Sequence, residues 1–209
     1  MSETVNVVLA GVGGQGSVLA TRILAGAARR RGCDVVTSEV HGMAQRGGTV
    51  TTTVRFRCAP GAALSPMVGA GEADVLVAFE VLEAARHLAV LRPGGIAVVN
   101  DHRIRPSVES LRTADYPEDL EALARSQGVS LQVVPATRLA TELSEPKLAS
   151  TVLLGALSNV LDLPVDAWRG AIAEAAPAKL AGANLAAFES GREWLVGSPA
   201  LSSLTTGLA

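Results

Sequence analysis

The chain has 209 residues, a length that suits one domain with a substantial core. Hydrophobic residues make up 48% of the chain but aromatic residues only 3%, which favours helices packed on a parallel sheet over an all-β sandwich. The 18 basic and 20 acidic residues give a net charge of -2, which argues against a nucleic-acid partner.

The first predicted elements form a βαβ unit. A valine-rich strand at 5–10 ends at a glycine turn, an amphipathic helix covers 17–31, and a second strand follows at 34–38. We expect the two strands to be parallel neighbours joined by a right-handed crossover. Their carboxyl ends then lie at the same edge of the sheet, where open α/β folds bind ligands.

A third strand is predicted at Thr49–Arg57, where apolar and polar residues alternate. The loop before it is too short for a helical crossover, so we expect an antiparallel strand at or near the sheet edge. Its polar face consists of Thr51, Thr53, Arg55 and Arg57. This face is predicted to be available for contact with another subunit.

The remaining pattern completes the sheet and then becomes helical. After a glycine- and proline-rich loop at 58–71, strands are predicted at 74–79, 96–99 and 129–134, and helices at 81–91, 117–126, 138–143, 147–161, 165–175 and 178–195. The predicted fold class is α/β, with a Rossmann-like, mostly parallel sheet, an antiparallel edge strand and a C-terminal helical segment. We interpret 1–197 as a single domain and 198–209 as a disordered tail.

A glycine-rich segment follows the first strand and opens the first helix. Its candidate cofactor-binding residues are Gly11, Gly13, Gly14, Gln15 and Gly16. The glycine spacing is that of a dinucleotide-binding turn, and the amides at a helix N-terminus attract phosphate. Such a turn needs an acidic residue at the end of the second strand, and Glu39 offers one, so an NAD(P)-dependent dehydrogenase is an open alternative.

A second glycine-rich segment, at 38–48, holds more polar side chains than a turn needs. His41 suits a proton carrier near neutral pH, Arg46 a clamp for carboxylate or phosphate, and Gln45 a neutral hydrogen-bond partner. Gly47 and Gly48 let the backbone approach a ligand closely. The structural alternatives stay open: a histidine bonded to a carboxylate, a glutamine that pins a loop, an arginine that caps carbonyls.

The cysteine count restricts the redox chemistry of this chain. Cys33 and Cys58 are too few and too far apart for a disulfide framework, an iron–sulfur cluster or a four-cysteine zinc site, so we predict no metal site here.

The sequence starts without a basic region followed by an apolar stretch, and no run approaches a membrane span. We therefore expect a cytoplasmic protein without a membrane partner.

The two glycine segments together resemble a known family. Gly-Val-Gly-Gly-Gln-Gly at 11–16 and Ser-Glu-Val-His-Gly-Met-Ala-Gln-Arg-Gly-Gly at 38–48 resemble the gamma-type component of 2-oxoacid:ferredoxin oxidoreductases, especially the indolepyruvate ferredoxin oxidoreductase beta subunits. Shorter matches at 65–66, 73–77, 91–95 and 184–191 extend the resemblance over most of the chain. One departure is Ala44, where the family often has serine.

This resemblance implies a subunit of an enzyme that converts a 2-oxo acid, such as an aryl pyruvate, to acyl-CoA and CO2 while reducing ferredoxin. Thiamine diphosphate and iron–sulfur clusters carry that chemistry. The chain has neither a cysteine array nor a recognisable thiamine-diphosphate segment of the Gly-Asp-Gly…Asn type. The resemblance therefore implies a larger alpha subunit that holds both cofactors, and a chain that is inactive alone.

The resemblance also implies site roles. The turn at 11–16 is expected to face coenzyme A, and His41, Gln45 and Arg46 are expected to line the junction between the subunits. A third alternative is a non-catalytic assembly module, in which the glycines only shape an interface.

Overall fold

This computed structural model of the protein describes residues 4–42, 48–104 and 116–197. The strands are β1 (Val5–Val12), β2 (Asp34–His41), β3 (Thr49–Arg57), β4 (Ala73–Ala78), β5 (Leu91–Asn100) and β6 (Ser130–Val134). The helices are α1 (Ser17–Arg30), α2 (Val81–His87), α3 (Leu120–Ser126), α4 (Ala136–Glu142), α5 (Ala149–Leu157), α6 (Val165–Ala175) and α7 (Ala181–Val196), with 3₁₀ turns at Leu88–Val90, Pro146–Leu148 and Ala178–Leu180. The predicted tail at 198–209 lies outside the described residues.

The strands form one six-stranded sheet in the order β2-β3-β1-β4-β5-β6. β1, β4, β5 and β6 are parallel, and β3 is antiparallel to both of its neighbours. The α/β class and the antiparallel β3 are therefore confirmed, with β3 one strand in from the edge and β2 at the edge itself.

One topological prediction is wrong, because β1 and β2 are not neighbours. The connection after β2 is so short that β3 returns as a hairpin partner of β2, and its other side then pairs with β1. Since β3 is antiparallel to both, β1 and β2 still point the same way. Their carboxyl ends therefore lie at the same edge of the sheet, as the sequence predicts.

Helices cover both faces of the sheet. The core of the first face packs α1, α4, α5, α6 and α7 against the sheet, and the second face is covered by α2 and α3. α5 is buried along its whole length. A Cβ atom on Gly155 or on Gly191 would overlap the backbone of the facing helix, so these glycines let α5 and α7 approach closely. The five helices of the first face thus pack closely against the sheet whose carboxyl edge is expected to bind the ligand.

Three polar side chains of β3 are bonded to the loop that follows it, and contact of this face with another subunit stays a prediction. Thr53 Oγ1 donates to the carbonyl of Pro66 at 3.0 Å, and the Arg55 guanidinium donates to the carbonyl of Ser65 at 3.0 Å. Arg57 is buried beneath the same loop. The carbonyl groups of this loop thus accept hydrogen bonds from polar side chains of β3 for which the alternating sequence pattern predicted no partner within the chain.

The two cysteines are bonded to each other, although they are 25 residues apart in sequence. Cys33 precedes β2 and Cys58 follows β3, and the register that pairs Asp34 with Arg57 brings them side by side. The prediction that these cysteines are too far apart in sequence for a disulfide was wrong. The antiparallel pair of β2 and β3 brings residues 33 and 58 together. Among the residues that the structure describes, no helix has the length and hydrophobicity to cross a membrane.

Candidate cofactor-binding site at the carboxyl edge of the sheet

The two glycine segments touch at the carboxyl edge of β1. The backbone N–H of Gly13 donates to the carbonyl of Gly48 at 3.0 Å, just beyond the last paired residues, Val12 and Thr49. The N–H of Gly42 donates to the carbonyl of Thr49 at 2.8 Å. The hairpin between β2 and β3 therefore brings the described ends of the second segment against the first turn.

Three glycines of the first turn are required by the local geometry. A Cβ atom on Gly11 would lie 2.7 Å from Cδ2 of Phe79, and one on Gly16 would lie 2.7 Å from Oγ of Ser150. Gly14 has a φ of 98°, in the left-handed region that favours glycine, and nothing lies within 4 Å of a Cβ built there. The outer side of the turn is therefore open.

Gln15, a candidate cofactor-binding residue, makes two hydrogen bonds that hold the turn in place, and its contact with a cofactor stays a prediction. Its Oε1 accepts from the N–H of Val12 at 2.7 Å, and its Nε2 donates to the carbonyl of Phe79 at 3.2 Å. Asn100 Nδ2 donates to the same carbonyl at 3.1 Å. The amides of Gln15 and Asn100 thus connect the ends of β1, β4 and β5.

The start of α1 has the features of an anion-binding helix N-terminus. Within the described chain no side chain caps it, and its first turn has no acidic residue. The first backbone N–H groups of a helix lack intrahelical partners, and the helix dipole adds partial positive charge there. Because the open side of Gly14 lies next to these amides, the turn can accept a phosphate or another anion.

Two buried carboxylates, those of Glu80 and Glu83, lie next to this edge of the sheet. Glu80 ends β4 and caps α2, accepting from the N–H of Leu82 at 3.0 Å and of Glu83 at 2.6 Å. The hydroxyl of Tyr116 donates to Glu80 at 3.0 Å. Burial, and then this hydrogen bond, raise the pKa of Tyr116 above 10.0. The partners of Glu80 make it a helix cap rather than a ligand-binding group.

Glu83 links α2 to the second segment. Its Oε1 accepts from Thr49 Oγ1 at 3.1 Å and from the Arg86 guanidinium at 2.7 Å, while Oε2 is buried without a hydrogen-bond partner among the described residues. The sequence analysis missed this contact. Glu83 falls in a predicted helix, but no sequence signal shows that an acidic helix residue is buried.

His41 lies on β2 rather than in a loop, because this strand is longer than the sequence predicts. Its Nε2 contacts the carboxylate of Glu39 directly, and the two side chains are 60% and 38% exposed. Glu39 is therefore engaged, on a strand that β3 separates from the glycine turn. A dinucleotide fold places its acidic residue on the strand next to the turn, so this arrangement argues against the dehydrogenase alternative.

The remaining candidates of the second segment, Gln45, Arg46 and Gly47, lie outside the described residues.

Across ranges 4–42, 48–104 and 116–197, no group of three or more histidine, cysteine, aspartate or glutamate residues can hold a metal ion. A groove of about 630 Å³ lies between α1 and α6, lined by Arg22, Arg29 and Glu174 among others, and has no contact with the glycine turn. The edge remains the candidate site because its glycines converge there with the start of α1, which no described side chain caps.

The fold and the site define a class: an α/β domain whose mixed sheet presents an anion-attracting glycine turn beside a second polar segment. The pyruvate ferredoxin/flavodoxin oxidoreductase family matches residues 6–194. The chain belongs to this family, and the resemblance predicted from its glycine segments is confirmed.

Individual relatives agree with this assignment. The chain is 35% identical over 190 residues to indolepyruvate oxidoreductase subunit IorB of Archaeoglobus fulgidus, covering 89% of this chain and 92% of that one. The gamma subunit of a keto/oxoacid ferredoxin oxidoreductase from Geobacter sulfurreducens has the same fold, with a TM-score of 0.68 at 23% identity, covering 93% of this chain and 99% of that one. A 2-oxoglutarate:ferredoxin oxidoreductase from Magnetococcus marinus gives 0.71 at 20% identity, covering 95% of this chain but 32% of that longer one.

Proposed function

We propose that this chain is the accessory, non-thiamine-binding subunit of a 2-oxo acid:ferredoxin oxidoreductase that acts on indolepyruvate or another aryl pyruvate. The enzyme would convert the 2-oxo acid and coenzyme A to acyl-CoA and CO2 while it reduces ferredoxin. The observation that carries this proposal is the contact of both glycine segments at the start of α1, in a chain 35% identical to an indolepyruvate oxidoreductase subunit.

Coenzyme A is the ligand that we assign to the glycine turn. It carries a diphosphate, which suits the uncapped start of α1 and the open side of Gly14. The Magnetococcus marinus enzyme was solved with 2-oxoglutarate, coenzyme A and succinyl-CoA bound, which supports the same ligand class for this fold. The backbone of Gly13 and Gly14 would hold the diphosphate, with Gln15 keeping the turn in position.

The decarboxylation chemistry is assigned to the partner. Cys33 and Cys58 bond to each other, which leaves no cysteine thiolate in this chain to bind a cluster. A larger alpha subunit would therefore hold thiamine diphosphate and the iron–sulfur clusters and pass electrons to ferredoxin. His41, Gln45 and Arg46 would line the junction, meeting either coenzyme A or the partner's active site. We propose that the assembled complex is cytoplasmic.

Reconstitution tests this proposal. The purified chain alone should not oxidise a 2-oxo acid, and addition of the large subunit that co-purifies with it from the native cell should restore coenzyme A-dependent ferredoxin reduction. Indolepyruvate, pyruvate and 2-oxoglutarate compared in one assay identify the substrate class. Oxidation of a 2-oxo acid by the isolated chain would contradict the proposal.

A nucleotide titration distinguishes the proposed function from the dehydrogenase alternative. A Rossmann dehydrogenase binds NADH or NADPH with a saturable change in nicotinamide fluorescence, and a bulky residue at Gly13 abolishes that binding. We expect a flat titration, because β3 stands between the glycine turn and Glu39.

A further inference from the structure

The outer edge of β2 is an unpaired strand edge. All eight residues of β2 pair with β3 in unbroken antiparallel register. In such a ladder every second residue directs its N–H and C=O away from the partner strand. β2 ends the sheet, and no strand in the described part of the chain pairs with its other side. The edge therefore presents a row of alternating donors and acceptors.

β2 lacks the devices that usually protect a strand edge. Natural edges are kept short, are bulged, or carry lysine or proline, because an exposed ladder invites pairing with another chain. β2 has eight residues against five for β6 at the opposite edge, with no lysine, no proline and no shift in register. Its charged residues lie toward its two ends, which leaves 35–38 uncharged.

An exposed apolar side chain, Val40, lies on this edge strand. Val40 on β2 is 59% exposed and Met67 is 67% exposed. Val40 pairs with Thr51, and the carbonyl of Met67 accepts from Arg55 at 2.5 Å. Because Thr51 and Arg55 lie on the same face of β3, Val40 and Met67 lie on the same side of the sheet. Met67, however, lies over β3, where Thr53 and Arg55 bond its loop, and not at the open ladder itself.

We propose that the outer edge of β2, together with Val40, binds an extended strand of the larger subunit, an inference that rests on the proposed function. Only an extended backbone offers donors and acceptors at the spacing that this edge requires. The partner strand then needs an apolar residue that covers Val40. Main-chain hydrogen bonds provide the affinity of such an interface, and the apolar contact fixes its register.

The position of the edge favours the larger subunit over a second copy as the occupant. β2 ends at His41, which leads directly into the second glycine segment, so a strand on this edge reaches the candidate site. In the Magnetococcus marinus enzyme this fold accounts for 32% of a longer chain and is thus joined to the rest of a larger polypeptide. A second copy bound in antiparallel fashion would instead place its own candidate site at the far end of the edge.

Hydrogen exchange on the free chain and on the reconstituted complex tests the edge directly. Alternate amides of β2, those that point away from β3, should exchange freely in the isolated chain and become protected in the complex. A complex in which these amides exchange as in the free chain would overturn the proposal. A dimer of the isolated chain with these amides already protected would overturn the choice of partner.

Substitutions give a second readout. Val40→Lys and Val40→Asp should each weaken association with the large subunit roughly tenfold or more, since each places charge in an apolar contact. Val196→Asp is the matched control, because Val196 is 65% exposed on α7, and it should leave affinity within about twofold. Unchanged affinity in both edge variants contradicts the proposal. If the wild-type chain binds and restores turnover while the edge variants bind normally, the proposed function stands and only the edge assignment fails.

Discussion

At the scale of single residues, the glycines of the first turn divide into those that the fold needs and those that a ligand needs. A Cβ atom on Gly11 would meet Phe79 at 2.7 Å and Gln15 at 2.8 Å, whereas one on Gly13 would have only ordinary contacts beyond 3.7 Å. We therefore expect Gly11→Ala to lower the free energy of unfolding by about 1–3 kcal/mol, as overpacking does. Chemical denaturation of the isolated chain measures this.

Gly13→Ala is the matched comparison. It should leave the free energy of unfolding within about 0.5 kcal/mol, as a substitution without a clash does. Under the proposed function it should raise the KM for coenzyme A in the reconstituted enzyme, because the added methyl group lies where the diphosphate approaches the backbone. Equal destabilisation by both substitutions would show that the turn is packed more tightly around Gly13 than these distances indicate.

Tyr116 allows a pH test with a single reporter, since it is the only tyrosine in the chain. Burial and the hydrogen bond to Glu80 raise its pKa in the folded state above 10.0. The stabilisation is therefore fully present below the pKa of an unfolded tyrosine and is lost as the pH rises through the higher folded pKa. Near-ultraviolet absorbance should show phenolate forming with a midpoint above 10.0.

Substitution controls separate the two causes of this shift. Glu80→Gln removes the charge opposite the phenol and should bring the midpoint closer to 10.0, and Tyr116→Phe should abolish the signal. A wild-type midpoint at or below 10.0 would contradict the contact between Tyr116 and Glu80.

At the scale of elements, the hairpin of β2 and β3 is closed by the bond between Cys33 and Cys58. Cross-linking a loop of this length removes conformational entropy from the unfolded chain, which corresponds to about 3 kcal/mol. We expect Cys58→Ser to lower the free energy of unfolding by about that amount, and dithiothreitol to do the same to the wild type. Thiol titration in denaturant without reductant should find no free thiol.

The same experiment bears on the compartment, because structural disulfides are rare in a reducing cytosol. Two reactive thiols in protein isolated under thiol-blocking conditions would mean that the bond is open in the cell. Equal stability of the wild type and Cys58→Ser would then be expected, and the hairpin would depend on its ladder alone.

Most helices and strands were predictable because a local sequence pattern determines each of them. The alternation of Thr49–Arg57 gave that strand its bounds and its antiparallel direction, and Gly32, with a φ of 87°, follows α1 as the pattern requires. The neighbour order was not predictable in the same way. Insertion of β3 between β1 and β2 depends on which free edge the returning strand meets, and that is a long-range choice without a local signal.

The candidate site was predictable in its glycines and only partly in its side chains. Gly11 and Gly16 show the spacing that close packing demands, and the sequence analysis placed both segments at one edge. The hydrogen bonds of Gln15 were not predicted, because its partners, Val12 and Phe79, are far apart in sequence. The burial of Glu83 was missed for the same reason, since its partner Thr49 is 34 residues away.

At the scale of the whole molecule, Gly13, Gly14 and His41 are exposed at the edge of the sheet, and we expect the chemistry of the site to depend on the subunit that covers them. His41 shows this most clearly. Its side chain is 60% exposed and it contacts Glu39 on the same strand, and an exposed pair of this kind contributes at most about 1 kcal/mol to stability. Its substitution should therefore have little effect on the folded chain by itself.

The effect of His41→Ala should appear only in the complete complex. If His41 meets coenzyme A or the partner's active site, loss of a positioned donor should lower turnover by roughly 10²-fold, with the free energy of unfolding of the isolated chain almost unchanged. Arg46→Ala should act in the same direction. His87→Ala serves as the control, because His87 bonds within the chain to Thr51 and so should affect stability rather than turnover. Full turnover in both His41→Ala and Arg46→Ala, with the complex intact, would favour the assembly-module alternative, since the glycine segments would then shape an interface without taking part in the reaction.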